Sequence, residues 1–425
     1  MMNSVYHKAA RLLYTLVLWL LLPFIFIKLL WRARLQPEYL QHVPERFGYY
    51  KPRCEQPVIW LHAVSVGETR ATVSLVEKLL KHFPQHQIVL THTTPTGRAT
   101  SEQLFGNQVI RVYLPYDYPY VVRRFLRHFQ PELGMLMETE IWFNLIQACK
   151  RERVPLLLLN ARMSGKSALG YARFDALTRP ALQALSGIAA QTEDDAQRLM
   201  QLGAQQVSIM GNLKFDIAPP RVMLELGKVL RERFGAMRKV FLAASTREGE
   251  EALLLDAWRV AAPDALLVLV PRHPQRFNEV AALIEQRHLR MLRRSASEPV
   301  GKDVQVVLGD SMGEMFAYFA AADMAFIGGS LLPYGGQNLI EALAVGTPVL
   351  IGTHTFNFSE ATHLAVAAGA ARRVSDATEL VRILQYLIEN EVALAEMHQH
   401  GLRFVAMHQG ATNKAMLLIA QHVSV

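Results

Sequence analysis

Cysteine and metal-binding patterns are almost absent from this sequence. Of its 425 residues only Cys54 and Cys149 are cysteines, which excludes a disulfide framework and a cysteine metal cluster. The fifteen histidines contain no HExxH motif and no other paired-ligand spacing. Basic residues do not alternate with aromatic ones as they do on nucleic-acid surfaces, and neither low-complexity segments nor solenoid repeats occur. We therefore expect no metal, no cofactor and no nucleic-acid partner.

Long apolar runs are rare as well, although one lies near the N-terminus. Residues 12–27 (LLYTLVLWLLLPFIFI) carry no charge and are bordered by Lys8, Arg11 and Lys28. The run is slightly shorter than the ~20 apolar residues that span a bilayer. A signal peptide is an alternative, but no small-residue cleavage site follows the run. We expect an uncleaved membrane anchor over residues 1–34, with the body in the cytoplasm because basic residues cluster after the run.

Positive charge is concentrated beside that run. Residues 1–53 hold eight Lys or Arg and two Glu, a net charge of +6, whereas the whole chain carries +8. The basic balance therefore belongs to the region next to the membrane, and it indicates anionic lipid headgroups as partners.

Short apolar segments alternate with helical segments along the remaining chain, and this alternation predicts an α/β protein with parallel, doubly wound sheets. The length allows two to three domains, and Ala218-Pro219-Pro220 interrupts the pattern. We expect one domain over residues 35–217 and a second over residues 218–425. The tract 376–424 is predicted to be helical, and the sequence leaves open whether its last helix packs back on the first domain. Strands are predicted at residues 58–61, 88–91, 109–114, 133–137, 156–159, 187–190, 240–244, 266–270, 304–308, 324–327 and 348–351.

Residues 324–352 (MAFIGGSLLPYGGQNLIEALAVGTPVLIG) show the pattern of a ligand site most clearly. A buried strand ends at residues 328–329, and Gly335-Gly336 is predicted to open a helix whose first N–H groups would hold an anion. Asn338 and Glu341, three residues apart, would hold a sugar or a base. For the glycines alone, a turn that packs helix on sheet is an equally simple alternative. With Glu341 and the GTPV segment, the stretch resembles the nucleotide-binding half of glycosyltransferases of the GT-B fold, in which two Rossmann-like domains face a cleft.

Three charged segments in the first half are candidates for chemistry. Glu68, in HAVSVGE, is either a helix-start carboxylate stabilised by the helix dipole or a general base. Glu138 and Glu140 follow the strand LGMLM, and they are catalytic carboxylates tuned by burial, solvated loop acids or a cap for the next helix. Lys214, in GNLKFD, either meets a phosphate or carboxylate or is an ordinary surface lysine. The sequence around each residue leaves these interpretations open.

Two segments in the second half are candidates for nucleotide contacts. Arg272 follows the predicted strand LLVLV and Pro271, and its planar guanidinium suits a phosphate. Met312-Gly313-Glu314 lies at another strand-to-helix turn, where backbone N–H groups would contact a nucleotide. The candidates share one placement, at the ends of strands in two sheets that we expect to face each other.

Eleven short segments make the sequence resemble one family over nearly its whole length. In chain order they are HAVSVGE, TTPTG, LPYD, METEIW, NARMS, GNLKFD, STREGEE, PRHP, GDSMGE, GGS and GGQNLIEAL. This series is similar to that of the 3-deoxy-D-manno-octulosonic acid (Kdo) transferases of lipid A and lipopolysaccharide core assembly. The resemblance implies an inverting glycosyltransferase that moves Kdo from CMP-Kdo to a lipid A precursor, lipid IVA, at the cytoplasmic face of the inner membrane.

The resemblance also implies roles for individual residues. Glu68 falls on the proton acceptor, and Glu138 and Lys214 fall on groups that stabilise the transition state. The donor would lie in the second domain and the acceptor in the first. The implied CMP contacts are Pro271, Arg272, Met312, Gly313, Glu314, Asn338, Leu339, Ile340 and Glu341.

Two positions depart from the family pattern, and two other functions stay open. Phe143 stands where the family commonly has proline, and Arg247 stands where histidine is usual; neither is an assigned site residue. A nucleotide-sugar epimerase of the same two-domain fold would need no membrane segment and would release a free sugar nucleotide. A non-catalytic, membrane-bound nucleotide sensor would bind CMP without turnover. Fold alone does not distinguish these functions.

Overall fold

The computed structural model describes residues 2–51, 54–261, 263–296 and 298–423. Met1 of the predicted anchor and Ser424 and Val425 of the predicted second domain lie outside these residues. The chain forms two compact units. The first unit comprises Met1–Asp216 and Gln409–Val425, and the second comprises Ile217–His408.

A parallel sheet forms the centre of the first unit. Within the described ranges its strands are β1 (Val58–His62), β2 (Gln87–His92), β3 (Ile110–Tyr113), β4 (Pro131–Met137), β5 (Leu156–Ala161), β6 (Gly187–Ala190) and β7 (Val207–Ile209). Their order across the sheet is β3-β2-β1-β4-β5-β6-β7, and neighbouring strands pair in parallel. The chain order reverses at β1, and ligands of open α/β sheets bind beyond the carboxyl ends of the strands at such a reversal.

Helices cover both faces of this sheet. Trp60 of β1 packs against Phe125 on one face with the rings 4.9 Å apart, whereas Ile59 and Leu61 pack with Leu75 on the other. Successive residues of a pleated strand point to opposite faces, so both faces need an apolar cover. The helices are α1 (Met2–Leu35), α2 (Val43–Arg46), α3 (Val66–Ala71), α4 (Val73–His82), α5 (Pro95–Phe105), α6 (Pro119–Phe129), α7 (Phe143–Glu152), α8 (Gly165–Ala172), α9 (Asp175–Leu182) and α10 (Glu193–Gln201).

Helix α1 is fixed to the first unit by a polar contact with the buried Asp117. The Tyr14 hydroxyl donates to an Asp117 carboxylate oxygen at 2.9 Å, and the same carboxylate accepts the backbone N–H groups of Asn144 and Leu145. Phe143 meets the Tyr14 ring edge-on, with the ring centres 5.1 Å apart. The residue that departs from the family pattern at the start of α7 therefore packs against α1.

The length and composition of α1 are consistent with a membrane anchor. Among the described residues it is the one helix that is long and apolar enough to cross a membrane, over Val5–Leu35, and 6% of its most apolar window is buried. Its 34 residues correspond to about 51 Å at ~1.5 Å per residue. The helix thus extends beyond the predicted 16-residue run at both ends, and it exceeds the ~30 Å hydrocarbon core of a bilayer.

A second parallel sheet forms the centre of the second unit. In the part of this unit that the structure describes, the strands are β8 (Val240–Thr246), β9 (Leu266–Pro271), β10 (Met291–Arg293), β11 (Val306–Leu308), β12 (Met324–Ile327), β13 (Val349–Ile351) and β14 (Ala371–Arg373). Their order is β10-β11-β9-β8-β12-β13-β14, with parallel pairing throughout. This sheet reverses its chain order at β8, as the first sheet does at β1.

Helices cover the second sheet as well. Phe241 and Phe326 of the two central strands share a core with Trp258 and Leu380, and the Phe241 and Trp258 rings stack 5.8 Å apart. The helices are α11 (Arg221–Phe234), α12 (Glu250–Ala261), α13 (Phe277–Glu285), α14 (Met315–Ala321), α15 (Ile340–Ala344), α16 (Ser359–Ala367), α17 (Ala377–Glu389) and α18 (Glu391–His408).

The last helix, α19 (Ala411–Ile419), belongs to the first unit. Its Ala415 and Ile419 are buried in the same apolar cluster as Leu75 of α4. The Asp216 carboxylate accepts the backbone N–H groups of Gly410, at 2.6 Å, and of Thr412. An acid near a helix N-terminus satisfies N–H groups that have no partner within the helix, so Asp216 fixes the start of α19.

The predicted pair of doubly wound parallel sheets is confirmed, but several elements differ from the sequence-based prediction. The segment after β1 forms two helices, α3 and α4, and the chain turns between them at Thr72, whose hydroxyl donates to the Thr69 carbonyl. Strands β7, β10 and β14 were absent from the prediction.

Candidate functional sites in the two units

Glu68 is the third residue of α3, directly beyond the carboxyl end of β1. Its backbone N–H donates to the Ser65 hydroxyl at 3.3 Å, and the same hydroxyl donates to Glu68 Oε1 at 2.9 Å. Glu68 Oε2 accepts the Val64 N–H at 2.8 Å. This is close to the reciprocal arrangement of a capping box, so the helix-start role that the sequence left open is one that Glu68 does fill.

The surroundings of Glu68 also favour its protonated form. Burial raises the pKa of the Glu68 carboxyl above its usual value, and the negative charges of Glu138 and Glu140 raise this pKa further, whereas the hydrogen bonds from Val64 and Ser65 lower it. A carboxylate with a raised pKa accepts a proton more readily near neutral pH. The same residue is therefore suited to both a capping and a proton-accepting role.

Glu138 and Lys214 lie together at the same edge of the first sheet. Glu138 follows β4 and has a left-handed backbone, with φ of +57°, a conformation that costs a non-glycine residue about 1–3 kcal/mol and that clusters at active sites. Lys214 lies in a short 3₁₀ turn, Leu213–Phe215. Its ammonium is 3.7 Å from a Glu138 carboxylate oxygen. The structure thus brings two of the predicted residues together, with Glu138 close enough to Glu68 to influence its charge.

A buried amide network holds the turn that carries Lys214. The Asn160 side-chain oxygen accepts the Leu213 N–H at 3.1 Å, Gln191 donates to the Asn160 carbonyl at 2.9 Å, and Asn212 donates to Gln191 at 3.0 Å. Asn160 is fully buried and has φ of +52°. The sequence marks Asn160 only as the first letter of NARMS, and no local signal connects it to Lys214, which lies 54 positions further on.

A second group beside the site involves Glu140, the other acid of METE. The Trp142 indole N–H donates to Glu140 at 2.7 Å, and His62 Nε2 lies 3.8 Å from the same carboxylate. His62 is fully buried, and its Nδ1 contacts the Thr91 hydroxyl at 2.9 Å. Glu140 is therefore neither a free loop acid nor buried: it is partly exposed and connected to β1 and β2.

In the second unit, Pro271 and Arg272 lie at the carboxyl end of β9 as predicted. Pro271 is buried, and the Arg272 backbone N–H donates to the Thr246 carbonyl of β8 at 3.0 Å. This bond fixes the backbone of Arg272 beside the central strand, at the place where the strand order reverses. A guanidinium here is well placed for an anion at the edge of the sheet.

Met312, Gly313 and Glu314 form the turn between β11 and α14. Met312 is exposed, and Gly313 has φ of +81° with open space where a side chain would begin. The Glu314 carboxylate contacts Arg294 through two nitrogens, each at 3.2 Å, and accepts the Ser311 hydroxyl at 2.7 Å. The open turn at Gly313 leaves room for a ligand to approach the backbone, as the prediction requires.

Asn338 and Glu341 contact each other, and the helix begins later than predicted, so that Asn338 precedes it. The Asn338 side-chain amide donates to Glu341 at 3.0 Å, and its oxygen accepts the Ile340 N–H at 3.0 Å. Helix α15 starts at Ile340, and Gly336 lies in the preceding loop, where its N–H donates to the Gly329 carbonyl. The prediction that Gly335-Gly336 opens the helix over free N–H groups is therefore wrong. Leu339 and Ile340 are fully buried, so the structure leaves neither of these two predicted CMP contacts an exposed surface for a ligand.

Each unit thus gathers its own set of predicted residues at the carboxyl edge of its sheet. In the first unit Glu68 follows β1, Glu138 follows β4 and Lys214 lies beyond β7. In the second unit the predicted CMP contacts follow β9, β11 and β12. Within the described ranges, no three His, Cys, Asp or Glu side chains are grouped as a metal site would need.

Sequence comparisons relate the chain to one family. The family profile described as 3-deoxy-D-manno-octulosonic-acid transferase (kdotransferase) matches residues 41–217. A curated 3-deoxy-D-manno-octulosonic acid transferase of Bordetella pertussis is 44% identical, over 96% of this chain and 98% of that protein. A protein of the same description from Haemophilus influenzae is 36% identical, over 97% of this chain and 99% of that protein.

Structure comparisons show the fold. A UDP-GlcNAc 2-epimerase from Neisseria meningitidis bound to UDP-GlcNAc has a TM-score of 0.56 and 18% identity, and covers 86% of this chain and 100% of its own. A glycosyltransferase from Rickettsia africae also has a TM-score of 0.56, at 12% identity, with 87% and 99% coverage. At these identities the likeness shows a GT-B-type fold, which an epimerase and a glycosyltransferase share, so the fold leaves the reaction open.

Proposed function

Because the chain belongs to the 3-deoxy-D-manno-octulosonic acid (Kdo) transferases, glycosyltransferases of lipopolysaccharide biosynthesis, we propose that it moves Kdo from CMP-Kdo to the lipid A precursor lipid IVA. The transfer inverts the anomeric carbon and needs no metal, and the body of the enzyme lies on the cytoplasmic side of the inner membrane. The observation that carries this proposal is the 44% identity to the Bordetella pertussis transferase over 96% of the chain.

Glu68 is the proposed general base. The hydroxyl oxygen of the acceptor attacks the anomeric carbon of the donor sugar and forms the new C–O bond. The bond between that carbon and the phosphate oxygen breaks, and CMP leaves with the electron pair. The hydroxyl proton passes to Glu68, whose pKa is raised by burial and by Glu138 and Glu140. A positioned base of this kind contributes roughly 10²–10⁴-fold to the rate.

Glu138 and Lys214 are proposed to stabilise the transition state. As the bond to the phosphate breaks, positive charge develops on the sugar and negative charge on the leaving group. A carboxylate and an ammonium 3.7 Å apart present both signs of charge to reacting groups, and charges that are fixed in advance stabilise such states without reorganisation. Asn160, through the turn at Leu213, would hold Lys214 in place.

CMP is proposed to bind at the carboxyl edge of the second sheet. Arg272 contacts the phosphate, and the backbone at Gly313 and the Asn338–Glu341 pair contact the nucleoside. The leaving group is a single phosphate, so a guanidinium and N–H donors can stabilise it electrostatically without a metal ion.

Helix α1 is proposed to hold the enzyme at its lipid acceptor. Its exposed side carries large apolar residues, among them Leu12, Leu20 and Phe24, each more than 60% exposed. Lys28, Arg32 and Arg34 follow them, where they would meet lipid phosphates. The acceptor stays in the same leaflet, so transfer would take place at the membrane surface.

Mass spectrometry of the lipid product tests this function. Purified protein is incubated with CMP-Kdo and a tetraacylated lipid A precursor, and the lipid mass should increase by one or more Kdo units while CMP is released. Release of a free, epimerised sugar nucleotide would favour an epimerase. Binding of CMP with neither product would favour a nucleotide sensor, and either result would refute the proposal.

A further inference from the structure

Several basic side chains are gathered where the second sheet reverses its chain order. Arg247 follows β8, and Arg272 and His273 follow the neighbouring β9, while Gly329 follows β12 on the other side of β8. Ligand sites of open α/β sheets lie at this position. The assigned CMP contacts include Arg272 but not Arg247.

Arg276 lies close by, in the 3₁₀ turn Pro274–Arg276 after β9, and these basic residues differ in whether a carboxylate already pairs with them. Arg276 is within 2.7 Å of the fully buried Glu251 and within 2.8 Å of Glu279, so its charge is balanced by two carboxylates. The Arg247 side chain forms no ion pair with a carboxylate among the described residues; its guanidinium lies over the Tyr334 ring, 4.6 Å from the ring centre. Arg247 therefore presents an uncompensated, partly exposed positive charge.

The position of Arg247 is well fixed although its charge is unpaired. Its backbone N–H donates at 2.9 Å to Glu250, a fully buried acid that also accepts the Gly329 N–H. The Tyr334 hydroxyl donates to the Glu248 carbonyl at 3.1 Å, which ties the aromatic ring to the turn that carries Arg247. A guanidinium held in advance over an aromatic face loses less entropy when it binds a ligand.

The charges in this group act on each other. The pKa of His273 is lowered by its partial burial and then by the positive charges of Arg247, Arg272 and Arg276. The guanidinium groups of Arg247, Arg272 and Arg276 therefore lie close enough to His273 to act on its charge. Positive charges that lie close together in this way favour an anion at this edge of the sheet.

The inference rests on the proposed function, in which the donor is CMP-Kdo. This donor carries two anionic groups. One is the phosphate of CMP, and the other is the carboxylate of the sugar, which is an octulosonic acid. We propose that Arg247 binds the carboxylate of the donor sugar through two parallel N–H···O bonds, while Arg272 binds the phosphate. Arg247 is then the residue that selects an acidic sugar over a neutral one, since the planar guanidinium matches a carboxylate.

Equilibrium binding without acceptor separates the two anions, because CMP has the phosphate and lacks the carboxylate. Calorimetry with CMP-Kdo and with CMP is carried out on the wild type, Arg247→Gln, Arg247→Lys and Arg272→Gln. Arg247→Gln should weaken CMP-Kdo binding by about 10- to 100-fold and leave CMP binding unchanged, because a hydrogen-bonded charge pair is lost for the donor alone. Arg247→Lys, which keeps the charge but not the planar fork, should weaken CMP-Kdo binding by less. Arg272→Gln should weaken both ligands.

A charge control and the outcomes that would refute the proposal complete the test. Arg382 is an exposed arginine of α17 in the same unit, and Arg382→Gln should bind both ligands as the wild type does. Unchanged CMP-Kdo affinity in Arg247→Gln, or an equal loss for CMP and CMP-Kdo, would refute the carboxylate assignment alone. A wild type that does not bind CMP-Kdo would refute the proposed function as well. If Arg247→Gln does not fold, unchanged CMP-Kdo affinity in Arg247→Lys would refute the two-bond geometry.

Discussion

The Lys214 ammonium lies 3.7 Å from a Glu138 carboxylate oxygen, and the two side chains are 30% and 24% exposed. An ion pair this accessible to water contributes about 0–1 kcal/mol to stability. The left-handed backbone of Glu138 costs about 1–3 kcal/mol. Stability therefore does not account for the arrangement. Its place beyond the end of β4, beside Glu68, is better explained by the reaction that the two residues are proposed to assist.

Replacing Glu68 tests the proposed base. Glu68→Gln keeps the shape and one acceptor atom but cannot take a proton, so turnover should fall by roughly 10²–10⁴-fold. CMP affinity should stay within about twofold, because the assigned CMP contacts lie in the second unit and none of them is lost. Turnover is measured with CMP-Kdo and lipid acceptor, and CMP affinity by calorimetry. Near-normal turnover would remove Glu68 from the mechanism and make Glu138 the base candidate.

Asp195 offers a matched control for the capping role of Glu68. It is the third residue of α10, accepts the Thr192 hydroxyl at 2.6 Å and accepts the Met163 N–H at 2.7 Å, as Glu68 accepts Ser65 and Val64. Asp195→Asn should therefore lower the melting temperature about as much as Glu68→Gln, because loss of a cap costs about 0.5–2 kcal/mol. Turnover should be kept in Asp195→Asn. An equal loss of turnover in both variants would mean that Glu68 acts only through the helix start.

The raised pKa of Glu68 predicts an acidic limit to activity. A base works only when ionised, so kcat/KM should fall as the pH drops through the folded-state pKa, which lies above the usual value of 4.5. Glu138→Gln removes one of the charges that raise this pKa. The acidic limb of the profile should therefore move to lower pH in that variant, whatever its effect on the maximum rate. Glu152→Gln, at the exposed end of α7, should leave the limb in place. If the acidic limb of the kcat/KM profile does not move in Glu138→Gln, the charge of Glu138 does not raise the pKa of Glu68.

The sequence predicts strands and their ends well, because apolar runs and glycine boundaries are local signals. Strand β12 has the predicted bounds, 324–327, and Glu68 and Arg272 lie at strand ends as expected. Helix starts in loops are harder to predict. Gly336 has its N–H bonded to Gly329, seven positions earlier, and only the folded loop shows that this N–H is not available to a helix.

The side chains that hold the candidate site residues in place do so through contacts that the sequence does not reveal. Asn160 holds Leu213 from 53 positions away, and Tyr334 lies over Arg247 from 87 positions away. Neither residue has a local pattern that indicates its partner. The roles of the individual site residues stay predictions, because position at a strand end is compatible with both binding and structure.

Chelation tests the proposed absence of a metal. Among the described residues no three candidate ligands are grouped, and the leaving phosphate is proposed to be met by Arg272 and backbone N–H groups. Activity should therefore survive exhaustive dialysis against EDTA, measured as lipid product formed per minute. Added Mg²⁺ should not increase it. Loss of activity with EDTA that Mg²⁺ restores would contradict the metal-independent mechanism.

The exposed side of α1 should determine membrane association. A variant that tests this should keep the contacts between α1 and the rest of the first unit. Deleting the helix would uncover the buried Asp117 that Tyr14 contacts, so substitution is the better experiment. Leu20 and Phe24 lie one turn apart and are 67% and 65% exposed. Leu20→Gln with Phe24→Gln removes about 3–6 kcal/mol of apolar burial in lipid, and the membrane-bound fraction at high salt should fall more than tenfold. CMP affinity and the melting temperature should match those of the wild type.

Val222→Gln on α11 is the control, and it replaces a valine that is 73% exposed. The control protein should pellet with membranes as the wild type does. A double variant that still pellets fully would refute the role of α1.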